Sequence, residues 1–491
     1  TKLTEFFEWK AKSVVGRFGG TGATEYLYRD AAAYEFPVAE NDSTWANTYT
    51  DWGKVWTDAE LQNARGSKVL GDGSLRGATT DLSSYWGNLL PALAYAVRHG
   101  AMGAAEARAL LMSAPNWATL AATASDYPVW AVKPPVPAWT AGSVNAWSEF
   151  SGTPLSTVPG FNGAATSGKQ DAWCGWHIDT RTGEVYTAAQ GGHDDYWGNE
   201  VDKLALHAAT PAWAELLAGT PAAQVTTDQE YYADGRPCSV HGYYSAITIQ
   251  RLNKLLRFFG GARSKSGNPT QHLSAFNLAT GAWDSEATWT TPTTLSLVGA
   301  NSITYARHPY TERVYIWHYN AAIYEWDPAS PNALTLKISN PSNPAAADTA
   351  AAVDPLRNQV FFLGGGAAGT MCRAYDIATN AVRTITLTGT DISASAGGSG
   401  MFWCEGLGKF VVFLVNGSGG SSAYTITPDT GSSWACAALT TTGGSGIPET
   451  VGNGQGGASV RTKFLYSPRH GHAILGARWG DNVRRLKLHE V

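Results

Sequence analysis

A chain of 491 residues, 44% of them hydrophobic, has ample material for a core and enough length for more than one domain. Charged residues make up only 15%, while 54 glycines, 20 tryptophans and 21 tyrosines favour many short strands joined by tight turns over long charged helices. A net charge of -5 without a dense basic tract argues against nucleic acid as the main partner, and no apolar run reaches the about 20 residues that a membrane-spanning helix needs.

The amino-terminal region reads differently from the rest. Leu3, Phe6, Phe7, Lys10, Val14 and Val15 have helical spacing that stops at Gly19-Gly20, and further helices are expected over residues 89–99 and 104–113, the last closed by Pro115. Three short helices bury little apolar area on their own, so residues 1–132 are expected to pack on the following domain or to be the end of a larger helical domain. The chain opens Thr1-Lys2-Leu3-Thr4 without a charged-then-apolar leader, so any export signal is expected to lie upstream or to have been removed. Residues 133–142, with Pro134-Pro135-Val136-Pro137, read as a linker. The five cysteines (Cys174, Cys238, Cys372, Cys404 and Cys436) are odd in number and lack metal-ligand spacing, so they read as buried thiols filling small apolar gaps.

From residue 143 onward the chain repeats itself. The first unit is the strand-like runs 172–179 and 184–192, a polar loop, the run 199–207, and Trp213 after a short turn. Five further units follow, over residues 245–283, 303–338, 359–387, 401–439 and 463–488, and the last lacks an outermost strand. The stretch Ser143-Val144-Asn145-Ala146-Trp147-Ser148-Glu149-Phe150 has the missing Trp-centred pattern, although it precedes the first unit. Pairing it with the last unit would close a ring and leave no sheet edge unguarded there. The fold expected is therefore mainly β, a six-bladed β-propeller closed by an N-terminal strand and preceded by a small α-helical region. Seven blades is the alternative count, because residues 217–236 and 289–301 are long enough to hide strands.

A strand ending in Gly-Gly, a variable loop and a later Trp, as in Gly191-Gly192 with Trp213 and Gly260-Gly261 with Trp283, resemble kelch repeats. Gly364-Gly365 lacks the Trp, and the third, fifth and sixth units carry His318-Tyr319, Val415-Asn416 and Gly476-Ala477 in place of the glycine pair. The resemblance implies propeller blades and leaves function open, since propellers serve binding, hydrolysis, lyase and oxidase chemistry alike. More faintly, Tyr85-Trp86-Gly87-Asn88-Leu89-Leu90 and residues 92–107 resemble the closing part of the α/α toroid domains of bacterial polysaccharide lyases.

Chemistry in a propeller is expected where loops converge on one face. Loops between second and third strands, and those entering innermost strands, place His193, Asp194, Asp195, Tyr196 and Trp197 beside Arg236, His241, Tyr243 and Tyr244. Arg263, Lys265, Trp317, His318, Tyr319, Arg478 and Trp479 join them from other blades as candidate ligand-binding side chains. Two readings from different classes follow. The first is a module recognising a glycan or another partner outside the cell, on a bacterial or phage surface. The second, by analogy with propeller-type polysaccharide lyases, is a lyase acting on a uronate-containing glycan. There Arg236 would neutralise the carboxylate, and His193 or His241 with Tyr243 or Tyr244 would act as acid and base. Several side chains also have plain structural readings: His193-Asp194-Asp195 as a hydrogen-bonded turn, His241 as a satisfied core imidazole, Trp317 and Trp479 as packing between blades. No cofactor and no metal are expected. No Tyr-His pair of the copper radical oxidase kind, no Gly-x-Ser-x-Gly elbow and no Walker-type phosphate loop occurs.

Overall fold

The computed structural model describes residues 25–27, 38–40, 137–161, 169, 173–180, 182–191, 196–250, 252–289, 303–309, 311–317, 322–328, 330–339, 348–366, 369–393, 396–416, 420–443, 460–468, 470–476 and 478–489. The chain divides into two units, Thr1–Pro135 and Val136–Val491. In the first, Glu25–Leu27 pairs antiparallel with Val38–Glu40; the helices expected there lie outside the described residues.

The second unit is a β-propeller of six blades. Blade one is His177–Asp179, Glu184–Ala188, Val201–Ala205 and Trp213–Leu217. Blade two is Ala246–Ile249, Lys254–Arg257, Ser274–Asn277 and Ala282–Trp283, and blade three is Thr304–Arg307, Val314–Trp317, Ala322–Trp326 and Leu334–Ser339. Blade four is Ala350–Asp354, Gln359–Gly366, Gly369–Asp376 and Ala381–Thr384. Blade five runs Gly400–Cys404, Lys409–Asn416, Gly420–Thr427 and Ser433–Ala438, and blade six Phe464–Ser467, His472–Leu475 and Arg484–Lys487. The first strands lie innermost, those of blades three to six side by side in order and that of blade one between those of blades six and two. Residues 217–236, one of the two places where a seventh blade could have hidden, hold the end of blade one's outer strand at Leu217, the 3-10 turn Ala222–Gln224 and an isolated Tyr231–Pro237 bridge, and no strand of a further sheet. Among the described residues no helix is long and apolar enough to cross a membrane.

The ring closes as the sequence pattern requires. Trp147–Glu149 is the outermost strand of blade six, with Trp147 opposite Leu486, Ser148 opposite Arg485 and Glu149 opposite Arg484. Both ends of the propeller are thereby held in one sheet by main-chain hydrogen bonds. The segment read as a linker is docked from Pro137 onward: Trp139 is buried edge-on against Phe150, its indole N–H donates to the Leu206 carbonyl at 2.9 Å, and the Arg485 guanidinium lies over its ring.

Period-two alternation sends each blade's apolar residues to both faces, where large aromatics join it to its neighbours. Trp326 of blade three packs edge-on against Phe258 of blade two, Trp434 of blade five lies tilted against Phe361 of blade four, and Trp147 of blade six packs edge-on against Phe413 of blade five. All five cysteines are buried thiols, none of them in a disulfide. Two features escaped the sequence reading. Ala350–Asp354 is a full innermost strand despite three alanines in a row, a residue poor in β-propensity. Thr386–Gly389, expected to finish the outer strand of blade four, crosses instead to blade five and pairs in parallel with Ser433–Ala438, so one stretch of chain belongs to two sheets.

Replacing Trp147 by Ala, which empties the seam between blades five and six at the closing strand, is expected to cost about 3–5 kcal/mol, read by urea denaturation of the propeller. A second expectation concerns acid. Burial, with the Arg257 charge adding to it, pushes the His177 imidazole down to about 3, and burial pushes His472 down to about 4. Both sites are lowered, so the unfolded chain takes up protons first. The stability they contribute is complete above about pH 6.5 and is lost progressively as pH falls towards the folded values, by about 1.4 kcal/mol per pH unit for a fully shifted site. Thermal melts from pH 7 to pH 5 should show this loss, and the His177→Phe variant should show a shallower one.

Candidate functional site

Each innermost strand is entered through a short segment near the propeller axis, and five of the six are described. Trp173, Tyr243, Asp348, Gly398 and Arg461 each lie two to four residues ahead of their strand, and all five have left-handed backbone, with φ of 51, 46, 58, 70 and 48°. This conformation turns the backbone so that neighbouring entry segments bond to one another. The Tyr243 N–H donates to the Trp173 carbonyl at 2.9 Å, the Gly398 N–H to the Asp348 carbonyl at 2.9 Å, and the Arg461 N–H to the Gly398 carbonyl at 3.1 Å. Glycine adopts such a φ freely, and any other residue holds it at a cost of about 1–3 kcal/mol. Four of the five positions nevertheless carry Trp, Tyr, Asp and Arg.

The side chains of those four meet. The Arg461 guanidinium places Nη2 at 2.7 Å and Nε at 3.1 Å from Asp348 Oδ1, and its Cζ lies 4.5 Å from the Trp173 ring centre and 5.1 Å from that of Tyr243. His241 completes the group, its ring centre 5.8 Å from Trp173 and 6.0 Å from Tyr243. A short ribbon delivers it: Val240–His241 pairs with Ala262–Arg263 on one side, and Val240 bridges Gln190 on the other, tying the upper loops of blades one and two together. Buried Arg257 supports this ribbon from below, donating to the carbonyls of Ala189 and Cys238 and, at 3.1 Å, to the Ser274 hydroxyl. Trp173 is half-buried, whereas Tyr243, His241 and Arg461 are buried, so the indole is the most open ring of the cluster.

The other candidates are distributed as follows. Tyr244 adjoins the cluster, but its hydroxyl donates to the Ser399 carbonyl at 2.9 Å, and burial holds its pKa well above the usual phenol range. That phenol is placed to brace the axis, not to exchange protons. Tyr196 and Trp197 form a separate ledge with Phe161, where the Lys265 ammonium sits 4.3 Å above the Trp197 ring and the Tyr232 hydroxyl donates to the Trp197 carbonyl. Arg263, beside that ledge, is paired with Asp228 at 3.1 Å and Glu230 at 3.6 Å. Arg236 lies apart from the His241 cluster, donating to the Ala218 carbonyl at 2.5 Å and facing Asp234 at 3.5 Å. Trp317 is 0% exposed, wedged edge-on against Phe362 between blades three and four, which leaves it no face for a ligand. Arg478 is exposed and Trp479 half-buried in the loop of blade six, where the Trp479 carbonyl accepts the Ser156 N–H. His193, Asp194, Asp195, His318 and Tyr319 lie outside the described residues.

Trp173, Asp348 and Arg461 were not singled out from the sequence. The strand pattern around 172–179 absorbed Trp173, and the alanine-rich strand behind Asp348 went unrecognised, so neither was seen as an entry position. Aligning the residue ahead of each innermost strand is the signal that would have found them. Among the described residues no group of His, Cys, Asp and Glu is placed to hold a metal ion.

No family model matches the chain, and no curated protein matches it. Among solved structures it is similar to a chain of a mitotic checkpoint complex, at 12% identity and a TM-score of 0.39, covering 73% of this chain and 96% of that one. An auxiliary nutrient binding protein from Bacteroides ovatus matches at 12% identity and 0.40, covering 70% and 76%, and U3-55K at 10% and 0.36, covering 66% and 98%. At such scores these likenesses add nothing to the six-bladed arrangement given by the strands themselves.

The central ion pair can be tested directly. Arg461 is 1% exposed, so Asp348→Ala takes the carboxylate away from a buried charge and should lower stability by about 3 kcal/mol in denaturant titrations. Adding Arg461→Met should recover much of that loss.

Proposed function

We propose that this propeller is a recognition module whose axial cluster of Trp173, Tyr243, His241 and the Arg461–Asp348 pair binds a saccharide. The observation that carries the reading is the set of four non-glycine side chains held in left-handed backbone and converging at one point. Local strain of this kind concentrates at sites of function. A half-open indole beside a phenol suits the apolar face of a sugar ring, and the imidazole and the carboxylate edge supply hydrogen bonds to hydroxyls. The guanidinium is neutralised by Asp348, which favours an uncharged sugar over a uronate. The kelch-like Gly-Gly repeats belong to the same reading, as supports for variable loops around such a face. A bacterial or phage surface is the setting in which a module of this kind would meet its ligand.

The geometry speaks less for a polysaccharide lyase. Of the acid, base and clamp that such a reaction needs, Arg236 lies with Ala218 and Asp234, and Arg461 is occupied by Asp348. Binding should be measured by calorimetry against neutral and uronate oligosaccharides. The Trp173→Gly and Tyr243→Gly variants remove each ring while suiting its left-handed backbone. Each is expected to weaken binding at least tenfold, equivalent to about 1.4 kcal/mol, without unfolding the protein. Undiminished binding by both folded variants would refute the site. Unsaturated products from a uronate polymer would refute the recognition-only reading.

A further inference from the structure

A second buried group joins Lys169 to the third strand of blade one. Lys169 reaches Asp202 with Nζ 2.7 Å from Oδ2, and the two side chains are 1% and 0% exposed. Glu200, two residues before Asp202, is buried as well, and the Tyr196 hydroxyl donates to its Oε1 at 2.7 Å. The group thus holds one ammonium and two carboxylates out of water, an arrangement whose desolvation cost weighs heavily while all three remain ionised. Burial raises the pKa of Glu200 and of Asp202, the Lys169 charge opposing the rise in both. Burial thus works against the ionised form of both carboxyls beside the amine.

We propose that Lys169 and Asp202 join in an intramolecular amide bond, with Glu200 as the proton carrier. The step is a condensation without oxidant or cofactor. The Lys169 ammonium gives one proton to the carboxylates, and the free amine attacks Cγ of protonated Asp202. Glu200 takes the second amine proton and returns it to the departing oxygen. One C–N bond forms, one C–O bond breaks, and water leaves. The surrounding contacts already suit the product. The Thr187 hydroxyl donates to Asp202 Oδ2 at 3.0 Å, as it would to an amide carbonyl, while Oδ1 has no hydrogen-bond partner and is the oxygen placed to depart. Lys169 Nζ also donates to the Pro159 carbonyl at 2.7 Å, and the single N–H of an amide can keep that bond. Condensation replaces a buried charged pair by a neutral group whose donor and acceptor are both already satisfied. Thr187 and Asp202 face each other across the second and third strands of blade one, so the link would anchor the chain at Lys169 to the middle of that sheet.

The test is the mass of the denatured full chain. The amide predicts a value about 18 Da below that of the sequence, the mass of one water. Tryptic digestion should then give one branched peptide in which the segment ending at Arg181, uncut at Lys169, is joined to the segment ending at Lys203. Glu200→Gln should fold, as judged by circular dichroism, and retain the full mass. Lys169→Arg should retain it too. A wild-type mass equal to that of the sequence would overturn the proposal whatever the variants do. Loss of water mapped to another pair of residues would overturn it as well, and loss of water persisting in Glu200→Gln would remove Glu200 from the mechanism. None of these outcomes depends on saccharide binding at the axis.

Discussion

The propeller depends on one pairing, that of Trp147–Glu149 with Arg484–Lys487. A sheet bent into a ring must either leave two edges open or bring strands from distant parts of the chain together, and here the second solution is used. The seam is reinforced on both sides. Trp147 inserts against Phe413 of the preceding blade, while the Arg485 guanidinium lies over both Trp139 and Phe150, which meet edge to face. Because the described entry segments lie near the propeller axis and bond to one another, their mutual hydrogen bonds depend on this seam holding. Integrity at the rim therefore decides geometry at the axis.

At the axis the backbone and the side chains make opposite demands. The three described N–H to carbonyl bonds between neighbouring entry turns are made by left-handed residues, and glycine adopts that backbone without strain, as it does at Gly398. The presence of Trp173, Tyr243, Asp348 and Arg461 at the equivalent positions sets the cost of that backbone against what their side chains do together. Part of the cost is offset locally. The guanidinium stacks on two rings and is held by a carboxylate, so each strained residue is braced by another.

Much of the architecture was legible in the sequence. Strands with period-two alternation, glycine punctuation and a late Trp marked the blades, and the lone Trp-centred stretch ahead of them marked the closure. What escaped had physical causes. Ala350–Asp354 forms a strand because Gln359–Leu363 pairs with it along its whole length, a tertiary effect that alanine does not announce. Thr386–Gly389 has the composition of an ordinary outer strand, and nothing local says which blade it will join. For the axial site, chemistry-bearing residue types could be read but their company could not. His241 and Tyr243 stand together, whereas Arg236 belongs to another part of blade one and Trp317 to the packing between blades. The partners that complete the cluster come from residues 173, 348 and 461, far apart in the chain, and only the circular order of the blades brings them to one place.

The strand shared by blades four and five changes how the ring can come apart. Elsewhere neighbouring blades are tied by scattered main-chain bonds between their loops and entry turns, but at this junction a whole strand pairs across the gap, the Thr386 N–H donating to the Ser432 carbonyl at 2.8 Å and the Thr390 N–H to the Cys436 carbonyl at 3.0 Å. Those two blades therefore form a single cooperative block. Any partial opening is confined to the remaining arc, which contains the seam between the chain ends. The ring thus has a clasp in blade six and a fixed spine at the junction of blades four and five, and breathing motions that admit a ligand to the axis would hinge about that spine.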